Sequence, residues 1–210
     1  MNNKESYINS ESYNKLNEQE QIRVNKLVDL CNLGINPYPS KTFEVTQDVL
    51  KLIDTYGADA VRFGILLSTQ AGNDLKYDEQ LCIQGRNFTT KLWNALRFIA
   101  MQENHLSEQS VDDNSVYNQM LETINRNEKL LEEKYAQYRI NEAAMMVYKL
   151  IWDDFCSNYL EKIKVPKGQM MSKQVYNQTL DIYEKLMIML SPFMPFITNL
   201  IIKKIKDLRR

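Results

Sequence analysis

The 210-residue sequence holds 6 glycines, 5 prolines and one histidine, where average usage would supply about 15 glycines and about 10 prolines. So few turn residues leave little room for the hairpins of a β-sandwich or barrel, and the chain reads as long helices joined by few breaks. His105 alone excludes a multi-histidine metal site, and no glycine-rich phosphate loop is present. Lys and Arg number 26 against 27 Asp and Glu, so net charge argues neither for nor against nucleic acid. Cys31, Cys82 and Cys156 lie 51 and 74 residues apart. That spacing suits neither a zinc cluster nor a disulfide framework, and it predicts reduced thiols in a cytoplasmic protein. No apolar run reaches the roughly 20 residues that span a bilayer, and the first residues lack a signal-peptide core.

Residues 1–16 are almost free of aliphatic side chains and are expected to form a disordered tail. Asn17-Glu18-Gln19-Glu20 has the pattern of a capping box, Ile22, Leu27, Leu30 and Cys31 follow at near-helical spacing, and Gly34, Pro37 and Pro39 stop the helix. Thr46 is placed to cap a second helix whose apolar face is Val49, Leu50, Leu52 and Ile53, with Gly57 ending it. The stretch 58–67 is apolar nearly throughout, and its Asp59 and Arg62 are spaced to pair on one helical face. Gly72-Asn73-Asp74 signals a loop, and Asp78 precedes a strong helix over about 79–102. Gly85, Phe88, Leu92, Leu96 and Ile99 form the inner stripe of that helix.

A polar loop is expected over 103–115, then a helix over about 116–136. A further helix is predicted from Asn141 to about Lys164, with Met145, Tyr148, Ile151, Trp152, Phe155, Tyr159 and Ile163 facing inward. After Pro166 and Gly168 a last helix runs over about 173–190, and Ser191-Pro192-Phe193-Met194-Pro195 kinks it into a final apolar stretch. The fold class read from these elements is all-α, an antiparallel helical bundle preceded by a looser helical segment.

Residues 48–64 and Ala71-Gly72-Asn73-Asp74-Leu75 closely resemble the segment of valyl-tRNA synthetase that links its catalytic domain to its anticodon-binding bundle. Gln84-Gly85-Arg86-Asn87-Phe88, Lys91-Leu92-Trp93-Asn94-Ala95 and Arg97-Phe98 look like the first helix of that bundle. Residues 138–144, Ile151-Trp152-Asp153-Asp154-Phe155-Cys156 and Tyr159-Leu160-Glu161 resemble its central helix, and 192–198 the start of its final part. The likeness spans about 150 residues, in order. Residues 18–23, Lys26-Leu27 and 33–39 instead resemble the N-terminal helix of class II lysyl-tRNA synthetase, without the OB-fold strands that follow there. The resemblance implies a tail over 1–16, a lysyl-synthetase-like helix over 17–45, a connector over 46–78 and an incomplete anticodon-binding-like bundle over 79–210.

The departures from that family are equally specific. The HIGH signature that binds ATP is absent, so no cofactor is expected, although ATP serves the full-length family. Met171-Ser172-Lys173 echoes part of KMSKS but falls after the bundle helices, and it reads as a coincidence in a polar loop. Beyond Thr198, Asn199-Leu200-Ile201-Ile202-Lys203 ends the likeness. The resemblance thus implies a non-catalytic tRNA-binding module that supports no aminoacylation on its own. Its implied partner is tRNA, of the valine type, with a full-length synthetase as a second candidate and neither membrane nor DNA expected. The alternative is a helical interaction or remnant protein with no RNA role.

Arg86, Asn87, Lys91, Asn94 and Arg97 are the candidate RNA-facing residues that the resemblance implies. Cations at such spacing can track a phosphate backbone while Asn amides read base edges; the same residues also fit a merely solvated face. Lys203, Lys204 and Lys206 belong to a tail with five cations in its last eight residues, suited to weak salt-sensitive attraction or to the helix dipole. Against them, residues 103–142 carry nine carboxylates and four cations. Trp93, Trp152 and Phe155 are expected in the core, with base stacking as the alternative. No residue is assigned a catalytic or metal-binding role; Asp153-Asp154 and His105 read as solvated surface.

Overall fold

The computed structural model describes residues 11–38, 48–68, 77–103, 105–109, 113–166 and 168–209. Thr46, Pro39, the Gly72-Asn73-Asp74 loop signal, Arg210 and residues 1–10 lie outside these. The chain divides into two units, 1–46 and 47–210.

In the first unit a single helical turn, α1 (Glu11–Asn14), occupies residues expected to lie in a disordered tail. Tyr13 explains the difference, because its hydroxyl donates to Asn25 Oδ1 at 2.8 Å. The main helix, α2 (Glu18–Asn32), opens with the expected capping box: Asn17 Oδ1 accepts from the Glu20 amide, and Glu20 Oε2 accepts from the Asn17 amide. Its end is a Schellman turn. Gly34 sits at φ 78°, its amide donates to Cys31 and the Ile35 amide donates to Leu30, so a left-handed residue satisfies two orphan carbonyls. None of the side chains of α2 is buried.

The second unit begins with α3 (Val49–Tyr56) and α4 (Ala58–Ser68). Asp48 caps α3, its Oδ1 accepting from the Leu50 amide at 2.9 Å, which is the role expected of Thr46. Only Leu52 of the expected face is buried; Val49 and Leu50 are exposed, since among the described residues α3 is covered on one side alone. The pairing expected between Asp59 and Arg62 does not form. Asp59, 6 % exposed, accepts instead from the amides of Phe196 and Ile197 at 3.2 and 2.6 Å. Those amides open the last helix, whose own cap residue Met194 supplies no side-chain acceptor. A carboxylate there satisfies orphan donors and faces the positive end of the helix dipole. Arg62 turns outward to donate to the Pro192 carbonyl at 3.1 Å.

Helix α5 (Glu79–Ala100) starts on Asp78 as predicted and buries Gly85, Phe88, Leu92, Leu96 and Ile99. Its crossing with α4 is unusually close. A Cβ on Gly85 would stand 2.6 Å from the Ala60 carbonyl oxygen, and one on Gly64 would stand 2.8 Å from the Cys82 amide nitrogen. The loop expected after α5 contains a short strand β1 (Leu106–Ser107), paired in parallel with β2 (Met171–Ser172). The Met171-Ser172-Lys173 run is therefore structural rather than idle: Met171 is buried, Ser172 caps the following helix and donates to the Gln109 carbonyl, and Lys173 pairs with Glu108.

Helix α6 (Ser115–Ala136) packs against α7 (Ile140–Lys149), which continues as a π-helical segment (Leu150–Tyr159) and one closing turn, α8 (Leu160–Lys162). Of the expected inward face Ile151, Phe155 and Tyr159 are buried, and only its N-terminal part is displaced by about one residue. Ala143, Ala144 and Val147 are buried, Met145 and Tyr148 only partly so. Leu150 and Ile151 are followed five residues later by Phe155 and Cys156, also buried, and a wide i to i+5 turn brings both pairs to the same side. Helix α9 (Lys173–Leu190) ends at Ser191, and α10 (Pro195–Leu208) starts anew with Pro195 in its first turn, so the expected kink is a complete break.

The core of the second unit joins Phe63 of α4, Phe88 and Leu92 of α5, Ile124 of α6, Phe155 of the π segment, Tyr183 of α9 and Ile201 of α10. Phe155 stacks on Tyr183 at 5.2 Å between ring centroids, and the Tyr183 hydroxyl donates to the Leu92 carbonyl at 2.7 Å. Cys82 and Cys156 are buried free thiols, and burial pushes the Cys156 thiol up to about 11. Both should resist a disulfide reagent at neutral pH until the fold opens, while the partly exposed Cys31 reacts at once. Cys156 also has a stability consequence of definite sign. Its contribution is fully present below the ordinary thiol value of 9.0 and falls as pH rises toward 11, because only the unfolded thiol ionises early. Thiol counting in native and denatured protein, with alkaline melts, checks both outcomes.

Candidate nucleic-acid interface

Amphipathicity decides which side of α5 is available to a ligand. Positions 85, 88, 92, 96 and 99 are buried, so the opposite side faces solvent in two adjacent rows. Arg86, Thr90, Trp93 and Arg97 form one row; Asn87, Lys91, Asn94 and Phe98 form the other. All five α5 candidates are thus brought onto one continuous polar face. Asn87, Asn94 and Arg97 are exposed and make no side-chain hydrogen bond or ion pair among the described residues. Arg86 is also exposed and reaches the Thr55 carbonyl at 3.4 Å.

Two aromatic residues depart from expectation. Trp93 is 37 % exposed and stands in the row of Arg86 and Arg97, outside the core. Its spacing, seven after Arg86 and four before Arg97, carried that information, but apolar character outweighed register in the sequence reading. Trp152 is partly buried against Tyr148 and Phe88. The Lys91 ammonium lies 5.2 Å from the Trp152 ring centre, a cation–π contact that holds the lysine at the edge of the polar face. Phe155 is fully buried, as expected.

Next to the second row, α5 and the end of the π segment enclose a cleft of about 170 Å³. Lys91, Asn94 and Phe98 line one wall; Cys156, Glu161 and Lys164 line the other. Lys164 pairs with Glu161 at 2.6 Å and lies 5.9 Å from the Phe98 ring centre. Sequence reasoning missed Lys164, because its proximity to α5 depends on the packing of helices more than sixty residues apart.

The three C-terminal candidates sit on α10. Lys203, Lys204 and Lys206 are exposed, and Lys204 approaches Asp207 at 4.0 Å. Arg209 is held by Asp181 and Glu184 at 2.7 and 2.6 Å, so part of the expected basic tail is already neutralised. On α6 and α7 the carboxylates are partly paired as well: Glu142 joins Lys134 and Arg139, and the Lys134 hydrogen bond holds its carboxyl below the usual range. Asp154 goes the other way. Burial, and then the neighbouring Asp153 charge, push its carboxyl up.

The bundle is of the class that tRNA ligases use to bind the anticodon: residues 117–208 match the family model of the anticodon-binding domain of tRNA ligase. The relatives give the particular family. The chain is 42 % identical over 169 residues to valine–tRNA ligase of Christiangramia forsetii, covering 80 % of this chain and 19 % of that protein. It is 44 % identical over 162 residues to the Bacteroides thetaiotaomicron enzyme (76 % and 18 %), and 33 % identical over 178 residues to that of Fusobacterium nucleatum (80 % and 20 %). The helical unit is a valyl-tRNA synthetase anticodon domain. The chain spans about a fifth of the length of these relatives.

Proposed function

We propose that this chain binds tRNA at the anticodon stem-loop through the exposed face of α5, prefers valine tRNA, and does not itself activate an amino acid. The observation that supports this reading is the set of exposed Arg86, Asn87, Asn94 and Arg97 and half-exposed Lys91 on one face of α5, the helix that precedes the residues matched by the anticodon-binding domain. Arginine and lysine would contact phosphates, while the amides of Asn87 and Asn94 would meet base edges of an unpaired loop. Lys203, Lys204 and Lys206 would add attraction without selectivity.

The test is a titration of labelled valine and lysine tRNAs at several salt concentrations. Replacing Arg86, Lys91 and Arg97 together with Gln should flatten the log–log salt dependence by roughly 0.7–0.9 for each lost contact. Helicity should be unchanged, since Gln propagates a helix nearly as well as Lys or Arg. A parallel chain truncated before Lys203 separates the tail. If truncation abolishes binding and the triple variant changes nothing, the α5 reading fails.

A second reading, docking on another protein without an RNA role, is favoured by α2. Its Val24, Leu27, Val28 and Cys31 recur at helical spacing yet none is buried. Co-sedimentation with a full-length synthetase but not with tRNA would decide for it.

A further inference from the structure

We propose that the cleft between α6 and the π segment binds a short-chain organic amine, with its ammonium group at Asp154 and the far end of its chain at Lys162. The site uses none of the α5 candidates and stands apart from RNA binding. The first observation is an uncompensated carboxylate. Three other buried or half-buried carboxylates show how such groups are satisfied in this unit: Asp59 takes the amides of Phe196 and Ile197, Glu142 the Lys134 ammonium and Glu184 the Arg209 guanidinium. Asp154 is half-buried, yet it accepts no hydrogen bond and makes no ion pair among the described residues. Burial, and then the Asp153 charge, disfavour its ionised form, and Arg126 on α6 offsets them only in part. A cation brought into the cleft would restore what burial removes.

The second observation is the shape around that carboxylate. A short turn over 137–139 joins α6 to α7 and its π continuation, and the two pack along their length, so they run antiparallel. Gln119, Met120 and Thr123 of α6 form one wall of the cleft, and Asp154 and Asn158 form the other. The space between is about 300 Å³, at the small end of ligand pockets. Antiparallel order sets Thr123 beside Asp154 at one end and Val116 beside Lys162 at the other, about 10 Å away along the helix. The third observation is hydrogen-bond polarity. The Thr123 hydroxyl already donates to the Gln119 carbonyl at 2.9 Å, and an ionised Asp154 has no proton to give, so this end offers acceptors alone. An ammonium group has three donors and no acceptor, which is the complement. Val116 and Met120 give its chain an apolar wall, while the Lys162 ammonium disfavours a second cation at the far end. The ligand class is therefore a monoamine or an amino carboxylate rather than a diamine.

The experiment titrates pentylamine, δ-aminovalerate, cadaverine and pentanol, matched in carbon count, into the full 210-residue chain while backbone amide resonances are followed. Wild type is compared with Asp154→Asn and Lys162→Gln, with Asp153→Asn and Arg126→Gln as controls, and melts confirm that each variant folds. Pentylamine and δ-aminovalerate should shift the amides of Thr123, Asp154 and Asn158 saturably, cadaverine should bind more weakly, and neutral pentanol should not bind. Asp154→Asn should weaken pentylamine about tenfold, the scale of one hydrogen bond to a charged group, without lowering the melting temperature. Asp153→Asn should leave pentylamine binding nearly unchanged, and Arg126→Gln should not weaken it. Lys162→Gln should bring cadaverine level with pentylamine and weaken δ-aminovalerate. The site is overturned if pentanol binds as well as pentylamine, if Asp153→Asn costs as much as Asp154→Asn, or if no amine shifts these amides at millimolar concentration. A preference of wild type for cadaverine would overturn it too, since that is diffuse attraction to an acidic surface.

Discussion

Gly85→Ala should destabilise the second unit by about 2–3 kcal/mol even though alanine is the better helix former. The added methyl would lie 2.6 Å from the Ala60 carbonyl oxygen and 2.9 Å from its Cα. Both are backbone atoms, so no rotamer change relieves the overlap and the two helices must separate. Gly64→Ala should act in the same direction from the other side of the crossing, where the obstacles are the Cys82 amide nitrogen at 2.8 Å and the Leu81 carbonyl carbon at 2.9 Å. Because both substitutions open one crossing, their effects should be less than additive in a double-mutant cycle. Denaturant midpoints at constant slope provide the measurement. A Gly85→Ala protein as stable as wild type would mean that α4 and α5 can part without loss, and that α4 is not a fixed support for the α5 face.

The elements that sequence reasoning placed well are those fixed by short-range chemistry. Asn17 and Glu20 satisfy each other three residues apart, Asp78 caps α5, and the stripe from Gly85 to Ile99 obeys simple helical spacing. Asp59 was assigned to its neighbour Arg62 because a local pair was the only partner that spacing could offer. The amides that it caps lie 137 and 138 residues away and are invisible until the bundle closes. Within the π segment the expected stripe holds at Ile151, Phe155 and Tyr159 and fails at half-buried Trp152, for a related reason. An α-helical rhythm through Met145, Tyr148 and Trp152 fits the apolar pattern, but Leu150–Phe155 and Ile151–Cys156 are spaced by five, and only the facing helices decide which pairs are buried. The candidate interface was half legible. The five polar positions of α5 and the exposure of Trp93 follow from register, whereas the approach of Lys164 required tertiary packing.

The packing of this segment also decides which aromatic residue holds the bundle. Read as a plain helix, Trp152 belongs to the inward stripe, and its loss would be expected to cost about 3–5 kcal/mol. In the folded unit Phe155, a member of the same expected stripe, carries that cost. Its side chain is fully buried, stacked on Tyr183 at 5.2 Å and on Tyr159 at 5.7 Å, in the layer that joins the π segment to α9. Phe155→Ala should therefore cost about 3–5 kcal/mol, through lost burial and a cavity that Tyr183 cannot fill while its hydroxyl remains bonded to Leu92. Trp152, only partly buried, should cost roughly half as much when truncated to alanine, in proportion to the area it removes from water. The two variants also separate stability from binding. Trp152→Ala frees the Lys91 ammonium from its ring and should alter the salt dependence of RNA binding, while Phe155→Ala should lower the unfolding midpoint and leave that slope unchanged wherever the protein is still folded. Urea denaturation of both, at an unchanged denaturant slope, gives the order of the two losses; a larger loss at Trp152 than at Phe155 would mean that Trp152, not Phe155, is the ring that holds the bundle.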